Sequence, residues 1–465
     1  VQYKLPERWK GSIHHPSGAT DLGDDTWAYP SYEILLDTPV VMGDKTIIER
    51  DVEGTTFYWV FVDKGIGFEA RAEAFVDEVA EAARTFYRQF GSFPFEDYTF
   101  ILSLNPANDW GLEHLSSTMC GLDPEVFTDD TQFAIGVRVC AHELFHAWNV
   151  RRLRPRPLGE LASRLKQGAF TEGLWVAEGF TRYYEFLSCT RSGTYTPQQF
   201  ISAVVGYMTH VNWLPAVNRV SAVDSSLSTY LTHSPDYPGR CNNCIDYYDK
   251  GMLIAFGLDA RLRLAGDSLD AAFKDFYDRY AGFGPGKAGY STTEVISFFE
   301  ERLAGLGKVL EVEALQPGPM NTLEVLERLG FQTVFTDTHR GGLMFKEGQL
   351  PTIYCVLDDS PAGETGIAPN DVITTVNGYA YTESGLRWAL SQGESCTLGV
   401  MRGQRPLEFT FTPTEKSDPL QLVWTGDDAQ RKLLQDWVGL EFPLDEGSVW
   451  SLDFYENFHG IETVL

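Results

Sequence analysis

The segment Val139-Cys140-Ala141-His142-Glu143-Leu144-Phe145-His146-Ala147-Trp148-Asn149 decides how this sequence is interpreted. It contains no glycine or proline and carries apolar residues at helical spacing. Residues four apart lie on one face of a helix, so His142 and His146 point the same way and can bind one metal ion. Glu143 follows the first histidine, where a carboxylate can accept a proton from a metal-activated water. The pattern predicts a zinc hydrolase helix, and the alternative is a surface helix that carries these residues without a metal.

The composition of the 465-residue chain indicates a folded protein of several domains, with 43% hydrophobic and 13% aromatic residues. Its net charge of −28 argues against binding to nucleic acid or to an anionic membrane. No stretch approaches the roughly 18 apolar residues of a membrane span. The seven cysteines, an odd number, favour a reducing compartment, so we expect a cytoplasmic location. Because the sequence begins at Val1 in mid-pattern, a targeting segment could be missing.

Turn residues and hydrophobic periodicity divide the chain into four predicted parts and indicate an α+β multidomain protein. The first part has short runs such as Tyr32-Glu33-Ile34-Leu35-Leu36, which we interpret as β structure between turns. The second part is mainly helical, with its metal helix at 131–149, and the third returns to short strands. The predicted parts are 1–60, the end of an N-terminal β domain; 61–320, a mainly helical domain with the metal helix; 321–416, a small α+β module; and 417–465, a C-terminal extension.

A catalytic zinc site needs a third protein ligand and an open position in addition to the two histidines. The candidate is Glu178, in Leu174-Trp175-Val176-Ala177-Glu178-Gly179-Phe180. From the residues alone, this carboxylate in the first turn of a helix is either a metal ligand or a charge partner of the helix N-terminus. Glu185 lies seven residues further on the same helical face. It either accepts a hydrogen bond from a ligand histidine or is solvated.

His142-Glu143-x-x-His146 followed by Glu178-Gly179-Phe180 resembles the gluzincin zinc metallopeptidases, in particular aminopeptidase N and its relatives. The 31 residues between His146 and Glu178, and the segment Trp148-Asn149-Val150-Arg151-Arg152, are more similar to the PDZ-containing glycyl aminopeptidase family. This resemblance implies one Zn²⁺ per chain, bound by His142, His146 and Glu178, with Glu143 as general base. It also implies a thermolysin-like, mainly α catalytic domain. A β domain, which could be truncated, would precede it, and a PDZ domain would follow it.

Two further motifs resemble substrate-binding segments of aminopeptidase N. Trp110-Gly111-Leu112-Glu113-His114 lies where that family has Gly-Ala-Met-Glu-Asn, which implies that Glu113 and Gly111 bind the substrate and that Glu113 pairs with its α-ammonium group. The alternative for Glu113 is a solvated strand carboxylate. Tyr247-Tyr248-Asp249-Lys250-Gly251 resembles a Tyr-Glu-Lys-Gly segment, which implies that Tyr248 donates to the oxyanion. Tyr247 would take this role if the alignment with the family segment shifts by one residue. Both tyrosines could instead be core residues.

The third part of the chain resembles a bacterial PDZ domain from Asp358 to Ile373 and in the turn Asn377-Gly378. Gly342-Leu343-Met344-Phe345 lies at the carboxylate loop of such domains, where backbone N–H groups bind a peptide C-terminus. Met344 replaces the usual small residue, so the module either binds peptide C-termini or is purely structural. The segment Glu462-Thr463-Val464-Leu465 is itself similar to a PDZ ligand.

The sequence as a whole predicts a zinc aminopeptidase acting on peptides with a free amino terminus, and the resemblance implies a preference for N-terminal Gly or Ala. One alternative is a zinc endopeptidase whose PDZ domain guides the substrate. The other is a catalytically inactive PDZ scaffold. The arginine cluster at 151–156 could bind a carboxylate, although pairing with surface charges is the expected use.

Overall fold

The computed structural model describes residues 1–104, 110–159, 168–233, 237, 239–282, 289–346, 350–439, 444–452 and 462–465, the segment 462–464 by its backbone alone. These residues form a mixed α/β multidomain fold with two compact units. Unit 1 comprises Val1–Phe200, Arg261–Gly307 and Asp436–Leu440, and unit 2 comprises Ile201–Ala260, Lys308–Gln435 and Glu441–Leu465.

The strands β1 to β19 are, in chain order, Ile13–His14, Thr20–Gly23, Thr26–Ala28, Val41–Met42, Thr46–Val52, Thr55–Phe61, Asp97–Leu104, Trp110–Glu113, Ser117–Leu122, Phe331–Arg340, Leu343–Lys346, Cys355–Val356, Val372–Val376, Tyr379–Ala380, Cys396–Arg402, Arg405–Phe411, Thr414–Trp424, Val449–Ser451 and Glu462–Val464. The helices α1 to α16 are Tyr32–Asp37, Phe68–Phe90, Asp130–Phe145, Leu174–Ala177, Gly179–Ser192, Pro197–Trp213, Ala222–Leu227, Thr229–Thr232, Arg240–Asn243, Tyr247–Leu264, Leu269–Tyr280, Thr292–Arg302, Leu306–Glu313, Thr322–Arg328, Glu383–Ser391 and Asp428–Val438. Among the described residues, none of these helices is both long and apolar enough to cross a membrane.

Unit 1 contains a five-stranded sheet in the order β5-β6-β7-β9-β8. The central strands β6, β7 and β9 are parallel, whereas β5 and β8 run antiparallel to their neighbours. Within the described residues, β8 pairs only with β9, from Trp110 opposite Gly121 to Glu113 opposite Thr118. The other edge of β8 therefore keeps backbone groups that could pair with an extended peptide.

The metal helix α3 lies in the interior of unit 1. It begins after Asp129, whose side chain accepts a hydrogen bond from the Gln132 N–H. Every residue from Gly136 to Phe145 is buried, and α3 packs against α2, α5 and the strands β8 and β9. Trp148 stacks on Phe90 of α2 with ring centroids 4.6 Å apart. The alternative of a surface helix is therefore wrong.

The predicted β run at 32–36 is also wrong, because Tyr32–Asp37 is helix α1. The Ser31 side chain caps this helix by accepting from the Ile34 N–H, and local capping of this kind outweighs the apolar composition of the run. The metal helix ends at Phe145, before its predicted end at 149, because the chain turns at Val150, which has a φ of +91°. The sequence pattern is helical from Glu172 to Cys189, but the structure divides this stretch into α4 and α5 at Glu178.

Unit 2 contains the four-stranded sheet β14-β13-β15-β16 and the three-stranded sheets β12-β11-β19 and β10-β17-β18. Helix α15 lies in the α+β module as predicted, and its Leu386 and Leu390 belong to a buried cluster with Leu343 and Phe345. Strand β17 continues past residue 416 and pairs with β10 along Phe331–Arg340. The module and the segment after it therefore share one β ribbon.

Candidate active site

Three predicted metal ligands come together in unit 1. The Nε2 atoms of His142 and His146 lie 3.0 Å apart. The Oε2 atom of Glu178 lies 3.4 Å from the first and 3.2 Å from the second. Helix α3 provides the two histidines at helical spacing, and Glu178 lies where α4 ends and α5 begins. One metal ion could contact all three side chains.

Asn149 fixes the approach of Glu178 to the histidines. This residue is fully buried, and its side-chain amide donates to the main-chain oxygens of Val176 at 3.0 Å and Ala177 at 2.9 Å. It also lies 3.0 Å from the Thr181 hydroxyl. These contacts join the end of α3 to the residues on both sides of Glu178. Asn149 belongs to the family-like segment 148–152, but the sequence pattern predicted no role for it.

A buried hydrogen-bond network orients the two histidine rings. The Nδ1 atom of His142 donates to the Glu185 carboxylate, and the Nδ1 atom of His146 donates to the Asn149 main-chain oxygen at 3.0 Å. Glu185 therefore lies where the partner of a ligand histidine was predicted. The fully buried Arg138 places its Nε atom 3.5 Å from the other Glu185 oxygen. Sequence reasoning missed Arg138, although an arginine four residues before His142 in an apolar helix is a signal that could have been used.

The donor set fits a zinc ion. Because each Nδ1 atom donates to a protein oxygen, both Nε2 atoms remain for a metal, and buried Glu178 Oε2 has no hydrogen-bond partner among the described residues. Burial lowers the histidine pKa values, but the neighbouring carboxylates outweigh it and raise the pKa of His142 to about 10 and of His146 to about 8. Despite its burial, Glu178 has a pKa below the usual range because the histidines stabilise its charge. A metal must therefore displace protons from these rings.

Glu143 lies beside the ligands and directly over β8. It is 5% exposed, and its Oε2 atom has no hydrogen-bond partner among the described residues. Burial raises the pKa of Glu143 to about 7, and the two histidines partly offset this effect. A Cβ atom added to Gly111 would come within 1.9 Å of Glu143 Oε1. Gly111 thus leaves the space that the Glu143 carboxylate occupies.

The carboxylate of Glu113 lies close to that of Glu143 and to the ring of His146. Carboxylate and imidazole atoms of Glu113, Glu143 and His146 lie within 4.8 Å of one another. Arg151 has its Nη1 atom 3.9 Å from Glu113 Oε1 and forms an ion pair with Asp37. The side chains of Arg151 and Asp37 are 13% and 6% exposed, so the expected use of Arg151 in surface pairing is wrong.

The two tyrosines proposed for the oxyanion belong to the first turn of α10 in unit 2. Tyr247 is buried, and its hydroxyl forms a 2.8 Å hydrogen bond with the Thr229 hydroxyl. Tyr248 is half-buried, and its ring stacks on that of Tyr247. Its main-chain N–H donates a hydrogen bond to the Asp246 side chain at 2.8 Å. The greater exposure of Tyr248 favours it over Tyr247 as the residue that contacts a substrate.

The proposed carboxylate loop Gly342-Leu343-Met344-Phe345 lies at the start of β11 in unit 2. Gly342 has a φ of +87°, a conformation that L side chains rarely adopt, and Met344 is fully buried. The side chain of Met344 therefore faces the interior, so it does not obstruct the outer edge of the strand.

Comparison with known proteins gives one family match and several fold matches. Residues 136–254 match the model of the M61 glycyl aminopeptidase family. This segment contains the three predicted metal ligands, Glu143, Glu185 and Tyr248, but not Gly111 or Glu113. No protein of curated function matches the chain by sequence.

Among solved structures, an aminopeptidase N family protein from Idiomarina loihiensis matches with a TM-score of 0.81 and 21% identity, over 92% of this chain and 77% of that protein. An M1 zinc metallopeptidase variant from Deinococcus radiodurans has a TM-score of 0.39 and 18% identity, over 67% of this chain and 64% of its own. Native yeast LTA4 hydrolase has a TM-score of 0.41 and 15% identity, over 68% of this chain and 47% of its own. The first match establishes the shared fold.

The family match supports an aminopeptidase-type metallopeptidase, a peptide hydrolase, and covers the residues that are predicted to bind the metal. At this level the comparisons agree with the resemblance found in the sequence: residues 136–254 are similar to the M61 glycyl aminopeptidase family, and the fold is similar to that of an aminopeptidase N family protein.

Proposed function

We propose that this protein is a zinc aminopeptidase that removes the N-terminal residue, Gly or Ala, from peptides with a free amino terminus. The observation that carries this proposal is the position of Glu113 beside Glu143 and His146. A carboxylate at that position can pair with a peptide's α-ammonium group while the first peptide bond lies next to the metal ligands. That geometry favours removal of one residue over cleavage within a chain.

The proposed mechanism assigns a separate task to each side chain. A zinc ion bound by His142, His146 and Glu178 would supply a Lewis acid that lowers the pKa of water and polarises a carbonyl group. Glu143 accepts the proton of the attacking water and transfers it to the leaving amine nitrogen. The phenol of Tyr248 donates a hydrogen bond to the oxyanion that develops on the substrate.

The edge of β8 that faces away from β9 gives the substrate backbone a partner at Gly111–Glu113 in this proposal, since no pairing on that edge is seen among the described residues. An extended peptide can add to this edge as a further strand, with main-chain hydrogen bonds that do not depend on its sequence. Gly111 and Glu113 alternate with Leu112 along β8, so they share the face of the strand next to Glu143. Arg151 serves as a positioning residue, because its guanidinium group forms an ion pair with Asp37 and also lies next to the Glu113 carboxylate.

The proposal can be tested with paired substrates. Amide release from unblocked Gly and Ala substrates should be at least about 100-fold faster than from the N-acetylated forms, because acetylation removes the cation that Glu113 binds. A chelator should abolish release, and added zinc should restore it. Glu113→Gln should raise KM for unblocked substrates and leave zinc content unchanged, with the exposed Glu172→Gln as matched control.

The other two hypotheses predict different results. A zinc endopeptidase would cleave blocked and unblocked substrates at similar rates. A scaffold without activity would bind peptides but release no amide, even when one zinc ion per chain is bound.

We further propose the domain order of the sequence analysis. Residues 61–320 would form the thermolysin-like catalytic domain, and residues 321–416 would form a PDZ domain. The sheet β14-β13-β15-β16 with helix α15 supports such a module. A cytoplasmic location is proposed from the seven cysteines, all of them buried, which suit a reducing compartment.

A further inference from the structure

We propose that the segment 462–465 is a built-in ligand of the groove at β11, and that this groove binds an outside peptide only when the segment leaves. The inference concerns unit 2 alone and does not depend on the proposed peptidase activity. The class of ligand is the C-terminal end of a peptide with an apolar last residue.

The loop before β11 presents two N–H groups to one oxygen. The N–H groups of Gly342 and Leu343 both donate to the main-chain oxygen of Leu465, each at 2.9 Å. The carbonyl groups of the same loop point the other way, because Gly341 accepts from the Ala362 N–H and Gly342 from the Leu357 N–H, each at 2.9 Å. Paired donors on one side of a turn form a binding site for an anionic oxygen such as a carboxylate.

Gly342 maintains this geometry. Its φ of +87° favours glycine, and an added Cβ atom would come within 2.2 Å of the Ser360 Cβ atom. Glycine at position 342 therefore allows the conformation that points the N–H groups of the loop outward.

The segment also adds a strand to the module. Strand β19 pairs antiparallel with β11, with Val464 opposite Met344 and Glu462 opposite Lys346. The Leu465 N–H donates to the Leu343 oxygen at 2.8 Å, which extends the ladder by one residue. The side chain of Leu465 packs on the buried cluster that contains Leu343, Phe345 and Leu390. Strand addition, paired oxygen-binding N–H groups and a pocket for an apolar side chain together are the features that recognise peptide C-termini.

A ligand on the same chain competes strongly with one in solution. A tethered segment has an effective concentration on the order of 1 mM, so an outside peptide of ordinary affinity is excluded from the groove. Removal of the segment should therefore uncover a binding site that the full chain hides.

The test uses a peptide that ends in Glu-Thr-Val-Leu and carries fluorescein on its N-terminus, which also protects it from an aminopeptidase. Fluorescence anisotropy compares the full chain, a chain without 462–465, and the variant Leu465→Asp. The exposed Leu420→Asp on β17 is the matched control. We expect the peptide to bind the chain without 462–465 and the Leu465→Asp variant at least about tenfold more tightly than it binds the full chain and the Leu420→Asp control.

Equal affinity for the full and shortened chains would overturn occupancy by the segment. Absence of binding to a shortened chain that unfolds at the same temperature as the full chain would overturn the groove as a peptide site. A C-terminally amidated peptide that binds as tightly as the acid would overturn the carboxylate as the ligand group.

A second measurement does not require a shortened chain. In the full chain, hydrogen exchange at the Leu465 amide should be slow and should accelerate when excess unlabelled peptide displaces the segment. Fast exchange without the peptide would contradict the proposal even if the shortened chain fails to fold.

Discussion

At the scale of single residues, Gly111 determines where the proposed general base lies. Gly111→Ala would place a Cβ atom 1.9 Å from the present position of Glu143 Oε1, so the carboxylate must move. We expect kcat/KM to fall about 100-fold, because displacement of a reacting group by about 1 Å costs that much, while zinc content stays the same. Leu112→Ala on the same strand is the control, since Leu112 is 50% exposed. An active Gly111→Ala enzyme would contradict the role of Glu143.

Glu185 tests how much the orientation of a ligand matters. Glu185→Gln keeps the size of the side chain but removes the charge that receives the His142 N–H. We expect zinc to bind about 10–100-fold more weakly, as measured by competition with a chromogenic chelator. Glu172→Gln, at an exposed position, should bind zinc as the unaltered chain does. Equal affinities of the two variants would reduce Glu185 to a packing residue.

Proton release gives the pH dependence of metal binding. In the metal-free site the pKa of His142 is about 10 and that of His146 about 8, so both rings carry an extra proton at pH 7. Zinc bound through both Nε2 atoms must displace both protons, and its dissociation constant should therefore rise about 100-fold for each pH unit from 8 down to 6. Calorimetric titration in buffers of different ionisation enthalpy would count the protons. A constant affinity over this range would contradict the assigned histidine charges.

At the scale of elements, Asn149 connects the metal helix α3 to the α4–α5 junction. Asn149→Ala leaves the buried oxygens of Val176 and Ala177 without this donor, so we expect the free energy of unfolding to fall by about 1–3 kcal/mol. Urea denaturation of the metal-free chain measures this loss. The control is Asn243→Ala, an exposed asparagine that should change stability by less than about 0.5 kcal/mol.

The elements also explain which predictions from sequence hold. Periodicity placed the start of the metal helix at 131, within one residue of the observed start of α3 at Asp130, because apolar residues recur there at helical spacing. It failed at Tyr32–Asp37, where a single capping serine selects a helix for a short apolar run. Arg138 and the pair formed by Asp37 and Arg151 escaped prediction because their partners are distant in sequence. Such pairs follow from packing, which residue spacing does not encode.

At the scale of the whole molecule, a bound zinc ion would join α3 to the α4–α5 junction within unit 1. Zinc at 100 times its dissociation constant should stabilise the folded state by about 2.7 kcal/mol. Hydrogen exchange in α3 and α5 should therefore slow when zinc is added and recover with a chelator. Glu178→Gln, which lacks the third charged ligand, should show a much smaller effect. Unchanged exchange in both helices would exclude a metal that links them.

The position of the metal centre along the chain bears on how the protein is made. His142, His146, Glu178, Glu185 and the Asn149 clamp all precede Gly193. A ribosome therefore completes every side chain that is proposed to hold or orient the metal before it synthesises α6, whereas α11 and α12 of unit 1 are synthesised later. An unfinished chain already contains the full ligand set. A metal bound during synthesis would thus hold α3 next to α5. The helices that are synthesised later could then pack on a surface that has already formed.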